Sequence, residues 1–291
     1  MARPGFLVVT AVGCAVGIAS AAAWGLSWWR ALVTLALALL AHASANMQND
    51  FADAMSGADA ANTSGLYPFT GGSRLVQGGV LPAQYMHQVS LVIGLLVGLG
   101  GMLLAVYSGG GLLLIGLVGL WIAWAYSTPP LALMSRGLGE VAVALAWALV
   151  VIGADYVQRG QFCLIPAVAA LGYGLMIGNV LLANAFPDAV ADARVGKRTL
   201  AVRLGLVRAA WLYLAVAFAA QAWVAIMVAW VVLPVSTLAA LAATPLSLAA
   251  GVLLRLRWAT PERLRPALVL GIAAALVYGL GLAWGFWKVR A

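Results

Sequence analysis

Two short stretches hold most of the acid in this chain. Of its eight carboxylates, Asp50, Asp53 and Asp59 stand in one stretch and Asp188 and Asp192 in the other; Glu140, Asp155 and Glu262 are scattered. Asp50 and Asp53 are spaced i, i+3, and Asp188 and Asp192 i, i+4. On helical backbone each pair projects from one face, close enough to share a cation. Asn46 and Asn49 fall on the face of the first pair and Asn184 on that of the second. Like charges at these spacings repel, and an uncompensated aspartate inside a membrane helix costs about 2.5–3.5 kcal/mol. A divalent cation removes both penalties. An all-oxygen ligand set of this kind suits Mg2+, which typically bridges carboxylates to phosphate oxygens. Lys197, Arg198 and Arg203 follow the second cluster, so the natural partner is an anion held on the metal, with diphosphate the leading candidate. Other readings stand beside this one. The acids can be solvated helix ends, Lys197 can reach lipid phosphates as Arg255, Arg257, Arg263 and Arg265 do, and carboxylates with a cation also suit a cation-coupled transporter.

The elements that must position these residues are membrane helices. The chain has 291 residues, of which 65% are apolar and only 8% charged. A soluble domain carries about 25% charged residues, so most of this surface must face lipid. The net charge of +8 does not imply nucleic acid, because the basic residues sit between apolar runs rather than in a patch interleaved with aromatics. Apolar runs between polar or Gly/Pro breaks predict nine helices, at 5–24, 31–49, 86–106, 111–127, 138–156, 162–184, 209–231, 235–254 and 267–287. The first imitates a signal peptide, but it is nearly a full span and another begins soon after it, so we read it as retained. The polar connections 50–85 and 185–208 are the motif loops of a single domain over 1–291. With the N-terminus in the cytoplasm, twelve of the sixteen basic residues face that side, and both motif loops with them; Arg30, Arg159, Lys288 and Arg290 face the other. The fold class is therefore all-α and polytopic. The acid clusters close spans two and six, four spans apart, as in two four-helix pseudo-repeats plus one helix around a central cavity.

At the two clusters the chain resembles the UbiA superfamily of intramembrane prenyltransferases. Asn49-Asp50-Phe51-Ala52-Asp53 looks like its N-D-x-x-D motif after the second helix. Asp188-Ala189-Val190-Ala191-Asp192 looks like its D-x-x-x-D motif after the sixth. The third acid, Asp59 after Gly57, is similar to the menaquinone-pathway branch, the dihydroxynaphthoate polyprenyltransferases. So are Pro68 to Arg74, Tyr126 to Pro130, Arg136 to Glu140 and Gly196 to Gly205. The resemblance implies nine helices around a cavity and a Mg2+-dependent diphosphate site held by Asp50, Asp53, Asp188 and Asp192. It further implies transfer of a polyprenyl group from prenyl diphosphate to an aromatic acceptor, dihydroxynaphthoate-like, in a bacterial cytoplasmic membrane. Hydroxybenzoate prenylation and terpene cyclisation would use the same donor machinery.

In that reading Asn46, Asn49 and Asn184 are neutral donors, and Lys197 and Arg203 stabilise the leaving diphosphate. Arg74, Tyr126, Arg136 and Asp59 join them as substrate-binding residues. Asp59 has three open roles: metal ligand, base toward the acceptor, or cap of a loop helix. Some members carry a lysine four residues after the tyrosine; here Pro130 stands there, and either Arg136 supplies the charge or the acceptor end works differently. Glu140 reads as an ion-pair partner for Arg136 or as a catalytic group, Asp155 and Glu262 as solvated loop charges, and His42 and His87 as satisfied helix-face histidines. The Gly71-Gly72 and Gly78-Gly79 pairs read either as bends in a mobile cap over the site or as plain loop turns.

Overall fold

The computed structural model describes residues 4–63 and 65–289; Arg3 and Arg290, counted above toward orientation, lie outside them. Among the described residues there is no strand. The chain runs through α1 (Pro4–Ala21), α2 (Trp28–Ser56), the short α3 (Ala58–Ala61), α4 (Ala83–Ser108), α5 (Gly111–Ser127) and α6 (Gly139–Arg159). It continues through α7 (Leu164–Arg194), the short α8 (Leu200–Leu204), α9 (Leu206–Ala229), α10 (Thr244–Arg257) and α11 (Arg265–Val289). Counting α10 together with the 3-10 turns before it (Val235–Ala243), eight described segments are long and apolar enough to cross a bilayer, and α5 is a shorter apolar ninth. The protein is an integral membrane protein. Neighbours around the bundle run α1, α2, α4, α5, α6, α7, α9, α10, α11 and back to α1.

Without a hydrophobic force between helices in lipid, close packing of small residues and hydrogen bonds from buried polar groups do the work. Gly174 and Gly178 let α7 lie against the backbone of α6, where a Cβ would run into the carbonyls of Ala144 and Glu140. Gly17 does the same for α1 against Val151 of α6. One half of the bundle is packed solid around Tyr173, Tyr213 and Tyr278. The Tyr173 hydroxyl donates to the Val9 carbonyl at 2.5 Å and that of Tyr278 to the Ala220 carbonyl at 2.9 Å. The other half, α2 to α6, surrounds a cavity.

Two spans are longer than their hydropathy predicts, and both carry the acids. The helix expected at 31–49 continues to Ser56, so Asp50 and Asp53 sit on helix rather than opening a loop. The helix expected at 162–184 continues through Pro187 to Arg194 and carries Asp188 and Asp192. Hydropathy stops at the first acid, but helical hydrogen bonding does not. The expected span at 235–254 also differs, opening as 3-10 turns before α10.

Asp155 is a correction too. It is not a solvated loop charge: it is 1% exposed, inside α6. Arg159 pairs with it at 2.8 Å, and the Ser20 hydroxyl donates to it at 2.8 Å. The same guanidinium donates to the Ser20 carbonyl and stacks on Trp24, tying α1 to α6 at the end of the bundle away from the acid clusters. Removing one partner of such a pair strands a buried charge and costs about 3–5 kcal/mol. Arg159→Ala will therefore lower the thermal unfolding midpoint in detergent, whereas Asp155→Leu with Arg159→Leu will recover most of the loss. Equal losses in the single and double variants would contradict this assignment.

Candidate functional site

Rotation of α2 is fixed from its outer face. Gln48 Oε1 accepts from His87 Nδ1 at 2.9 Å, Gln48 Nε2 donates to Thr128 Oγ1 at 3.3 Å, and Phe51 stacks on His87. Ser44 donates to the Ser90 carbonyl at 2.8 Å. Asn46, Asn49 and Asp53 are thereby turned toward the interior. The helix ends at Gly57, whose positive φ of 79° and N–H bond to the Ala54 carbonyl close it and start the cap.

The cap folds over the gap between the ends of α2 and α7. Gly71 and Gly72 both have positive φ, a bend that brings the Gly71 N–H to 3.4 Å from Asp188 Oδ2. Asn62 donates to Asp188 Oδ1 at 2.7 Å, and Gln77 donates to Asp59 at 3.2 Å. A Cβ at Gly72 would collide with the Asp59 carboxylate. Arg74, itself exposed, donates to the Asn62 carbonyl and so braces the cap from outside.

Lys197 is delivered by the turn that ends α7. Gly196 has a φ of 75°, and the Lys197 N–H folds back onto the Asp192 carbonyl at 2.8 Å. Its Nζ then lies 2.7 Å from Asp53 and 3.6 Å from Asp192. Both acid-bearing helices thus converge on one cation. Burial alone would lower the Lys197 pKa, but Asp53 and Asp192 more than offset it and hold the ammonium above the ordinary lysine range.

Two chambers meet here. A polar one of about 100 Å³ is lined by Asp53, Asp59, Asp188, Asp192 and Lys197, with Asn62, Thr70, Glu140 and Thr199. An apolar cavity of about 660 Å³ descends between α1, α2, α4, α5, α6 and α7. Asn49, Tyr126, Leu181 and Asn184 line both and form the neck; Asn46 lines the cavity just below.

Other sequence expectations are placed elsewhere. Asp50 is buried but lines neither chamber. Arg203 is exposed and donates to the Arg198 carbonyl at 3.1 Å. Arg136 does not pair with Glu140: it is exposed and donates to the Pro130 carbonyl at 2.6 Å, while Glu140 lines the polar chamber. Asn62 and Thr70 were not singled out in the sequence. Their only signal is position, as small polar residues between the first acid cluster and the glycine bend.

The donors fit a hard divalent cation. They are all oxygen, and Asn184 Oδ1 and Asn62 Oδ1 are buried with no hydrogen-bond partner. Among the described residues no three carboxylate, histidine or cysteine side chains converge on one metal position; Lys197 occupies the point on which Asp53 and Asp192 meet.

Comparison with known proteins shows the family. Residues 8–270 match the model of the UbiA prenyltransferase family. The chain is 34% identical over 215 residues to a 1,4-dihydroxy-2-naphthoate octaprenyltransferase of Mycobacterium tuberculosis, covering 73% of this chain and 71% of that one. A protein of the same name from Mycobacterium leprae is 34% identical over 248 residues, covering 84% and 78%. In fold the chain is similar to a UbiA homolog from Archaeoglobus fulgidus bound to DMAPP and Mg2+, with a TM-score of 0.61 at 16% identity over 97% and 99% of the two chains.

The convergence on Lys197 makes a direct prediction. Lys197→Met leaves two facing carboxylates without their cation and will lower the unfolding midpoint, by an amount of the order of the about 3–5 kcal/mol expected for a broken buried pair. Added Mg2+ will raise that midpoint more in the variant than in the parent protein. An equal response in both would show that the metal and the ammonium do not share this position.

Proposed function

Because the chain belongs to the UbiA prenyltransferase family, and is a prenyltransferase, we propose that it moves a polyprenyl group from its diphosphate to a dihydroxynaphthoate-like aromatic ring. The observation that carries this is the neck. A chamber of carboxylates and one fixed cation opens through Asn49, Tyr126 and Asn184 into a long apolar cavity. This is the shape of a molecule with a doubly charged head and a hydrocarbon tail. The names of the mycobacterial relatives support the acceptor, and the DMAPP and Mg2+ in the archaeal homolog support the donor and the metal.

In this reading Asp53, Asp188 and Asp192, which line the polar chamber, would hold Mg2+, and Asn49 and Asn184 at the neck, with Asn46 just below, would supply neutral oxygens. When bound, the metal neutralises charge on the diphosphate and so makes it a better leaving group. Lys197 leaves its two aspartates for the departing diphosphate oxygens, a fixed positive charge where negative charge grows. The allylic C–O bond breaks at the neck, beside the Tyr126 ring, and the cavity below keeps water from the carbon that becomes electron-poor. The acceptor carbon bonds to that carbon, and its ring regains aromaticity by losing its proton to the departed diphosphate or its carboxylate as carbon dioxide. Arg203 and Arg136 have no part in this sequence; Arg74 acts through the cap. The excess of basic residues beside the acidic mouth supports placing that mouth in the cytoplasm.

Purified protein with Mg2+ and labelled polyprenyl diphosphate will prenylate a dihydroxynaphthoate in preference to a hydroxybenzoate. Chelation of the metal will stop the reaction. Asp53→Ala and Asp192→Ala will each lower kcat by about 10²–10³, the loss expected when transition-state charge is no longer met. Transfer that survives chelation, or that prefers hydroxybenzoate, would overturn the assignment.

A further inference from the structure

Five carboxylates line the polar chamber, and four of them are met by other residues. Asp53 and Asp192 share Lys197, at 2.7 and 3.6 Å. Asp188 accepts from Asn62 and from the Gly71 N–H, and Asp59 accepts from Gln77. Glu140 is the fifth. Among the described residues its one donor is its own backbone N–H, and its side chain is only half-buried where it lines the chamber.

The position of Glu140 is fixed from three sides. Gly137, with a φ of 73°, turns the chain into α6. A Cβ at Gly139 would lie 3.5 Å from the Tyr126 ring and 3.2 Å from the Met134 backbone, so the start of α6 rests on both. The Glu140 carbonyl lies against Gly178 of α7, where a Cβ would come within 2.9 Å of it. Glu140 is thus held beside the neck, one position from the glycine on which Tyr126 packs. An acid in the first turn of a helix gains about 0.3–1 kcal/mol from the free N–H groups there, but that gain does not call for a place among four aspartates and a single ammonium. A carboxylate in such a chamber needs a donor. Neither a diphosphate oxygen nor a hydrocarbon tail can be one; a ring hydroxyl can.

We propose that Glu140 accepts the proton of the acceptor hydroxyl that adjoins the reacting ring carbon. This deepens the reading of the chain as an aromatic prenyltransferase and rests on it. As the hydroxyl proton passes to Glu140, the neighbouring ring carbon becomes electron-rich and bonds to the allylic carbon at the neck, leaving a ring carbonyl. That ring carbon then loses its proton to the diphosphate, or its carboxylate as carbon dioxide. The electron pair of the broken bond restores the ring, and the carbonyl oxygen takes the proton back from Glu140, which ends as it began. The same carboxylate repels an acid group on the acceptor, so the hydroxyl is the group presented to it.

The test compares the parent protein with Glu140→Gln, which keeps the shape but cannot take the proton, and with Glu140→Asp. On a ring with a neutral hydroxyl, Glu140→Gln will lower kcat about 10²–10⁴-fold, the worth of a positioned general base. On a ring whose electron-withdrawing groups keep that hydroxyl ionised at the assay pH, the same change will cost less than about fivefold. Glu140→Asp will recover part of the loss on the neutral ring. Mn2+ affinity in the presence of a non-reactive prenyl diphosphate analogue will change less than about twofold in Glu140→Gln, because the donor site does not use this carboxylate. Equal losses on the neutral and the ionised ring would assign Glu140 a structural role and overturn the proposal. So would a kcat within about threefold of the parent's on the neutral ring. A fall in Mn2+ affinity of about tenfold or more would make Glu140 a metal ligand instead, and would also overturn it. If Glu140→Gln does not fold, Glu140→Asp decides by the same comparison, since its loss must be larger on the neutral ring than on the ionised one. If the parent protein transfers to no aromatic acceptor, the functional reading itself falls, an outcome distinct from all of these.

Discussion

The structure depends on one electrostatic requirement. Asp53 ends one membrane helix and Asp192 another, in a protein with almost no other charge to spare, and both are buried. Two carboxylates facing each other in such a setting cannot both stay ionised without a cation between them. Lys197 meets the requirement here, at 2.7 and 3.6 Å. In the proposed reaction a divalent metal arriving with a diphosphate would satisfy both walls and the anion together, and would free the lysine for the leaving group.

Around that requirement the bundle divides its labour. The half built on α7, α9, α10 and α11 is close-packed through glycines and buried tyrosines and gives a rigid frame. The half from α2 to α6 is hollow. A buried ion pair between Asp155 and Arg159 pins α1 to α6 at the far end, so the cavity is braced from below while its mouth is closed by a cap that bends at glycine. The cap contacts Asp188 through Asn62 and Gly71. The cap is thus held by one of the carboxylates it covers.

Much of this was legible in the sequence. Composition and apolar runs give the membrane bundle and its spans, and acid spacing gives the two clusters, because both signals are local. Helix continuation was not legible. Hydropathy ends α2 at Asn49 and α7 at Asn184, whereas the acids ride on a further two turns of helix. The fate of single charges was also hidden. Asp155 reads as a loop acid until its helix is seen to run on to Arg159, and Arg136 reads as a partner for Glu140 until its guanidinium is found on the Pro130 carbonyl. Those outcomes depend on which faces neighbouring helices present. Asn62 reaches Asp188 across a long separation in the chain, which no local pattern reveals.

The most direct measurement is the affinity for Mn2+, followed by electron paramagnetic resonance, in the presence of a non-reactive prenyl diphosphate analogue. It would be made for the parent protein, Asp53→Asn, Asp192→Asn and the double variant. If one metal joins the two helices, each single change will weaken binding at least tenfold, and the double change will cost far less than the product of the two. Unchanged affinity in either single variant, or losses that simply multiply, would show that the two helices do not hold a common ion.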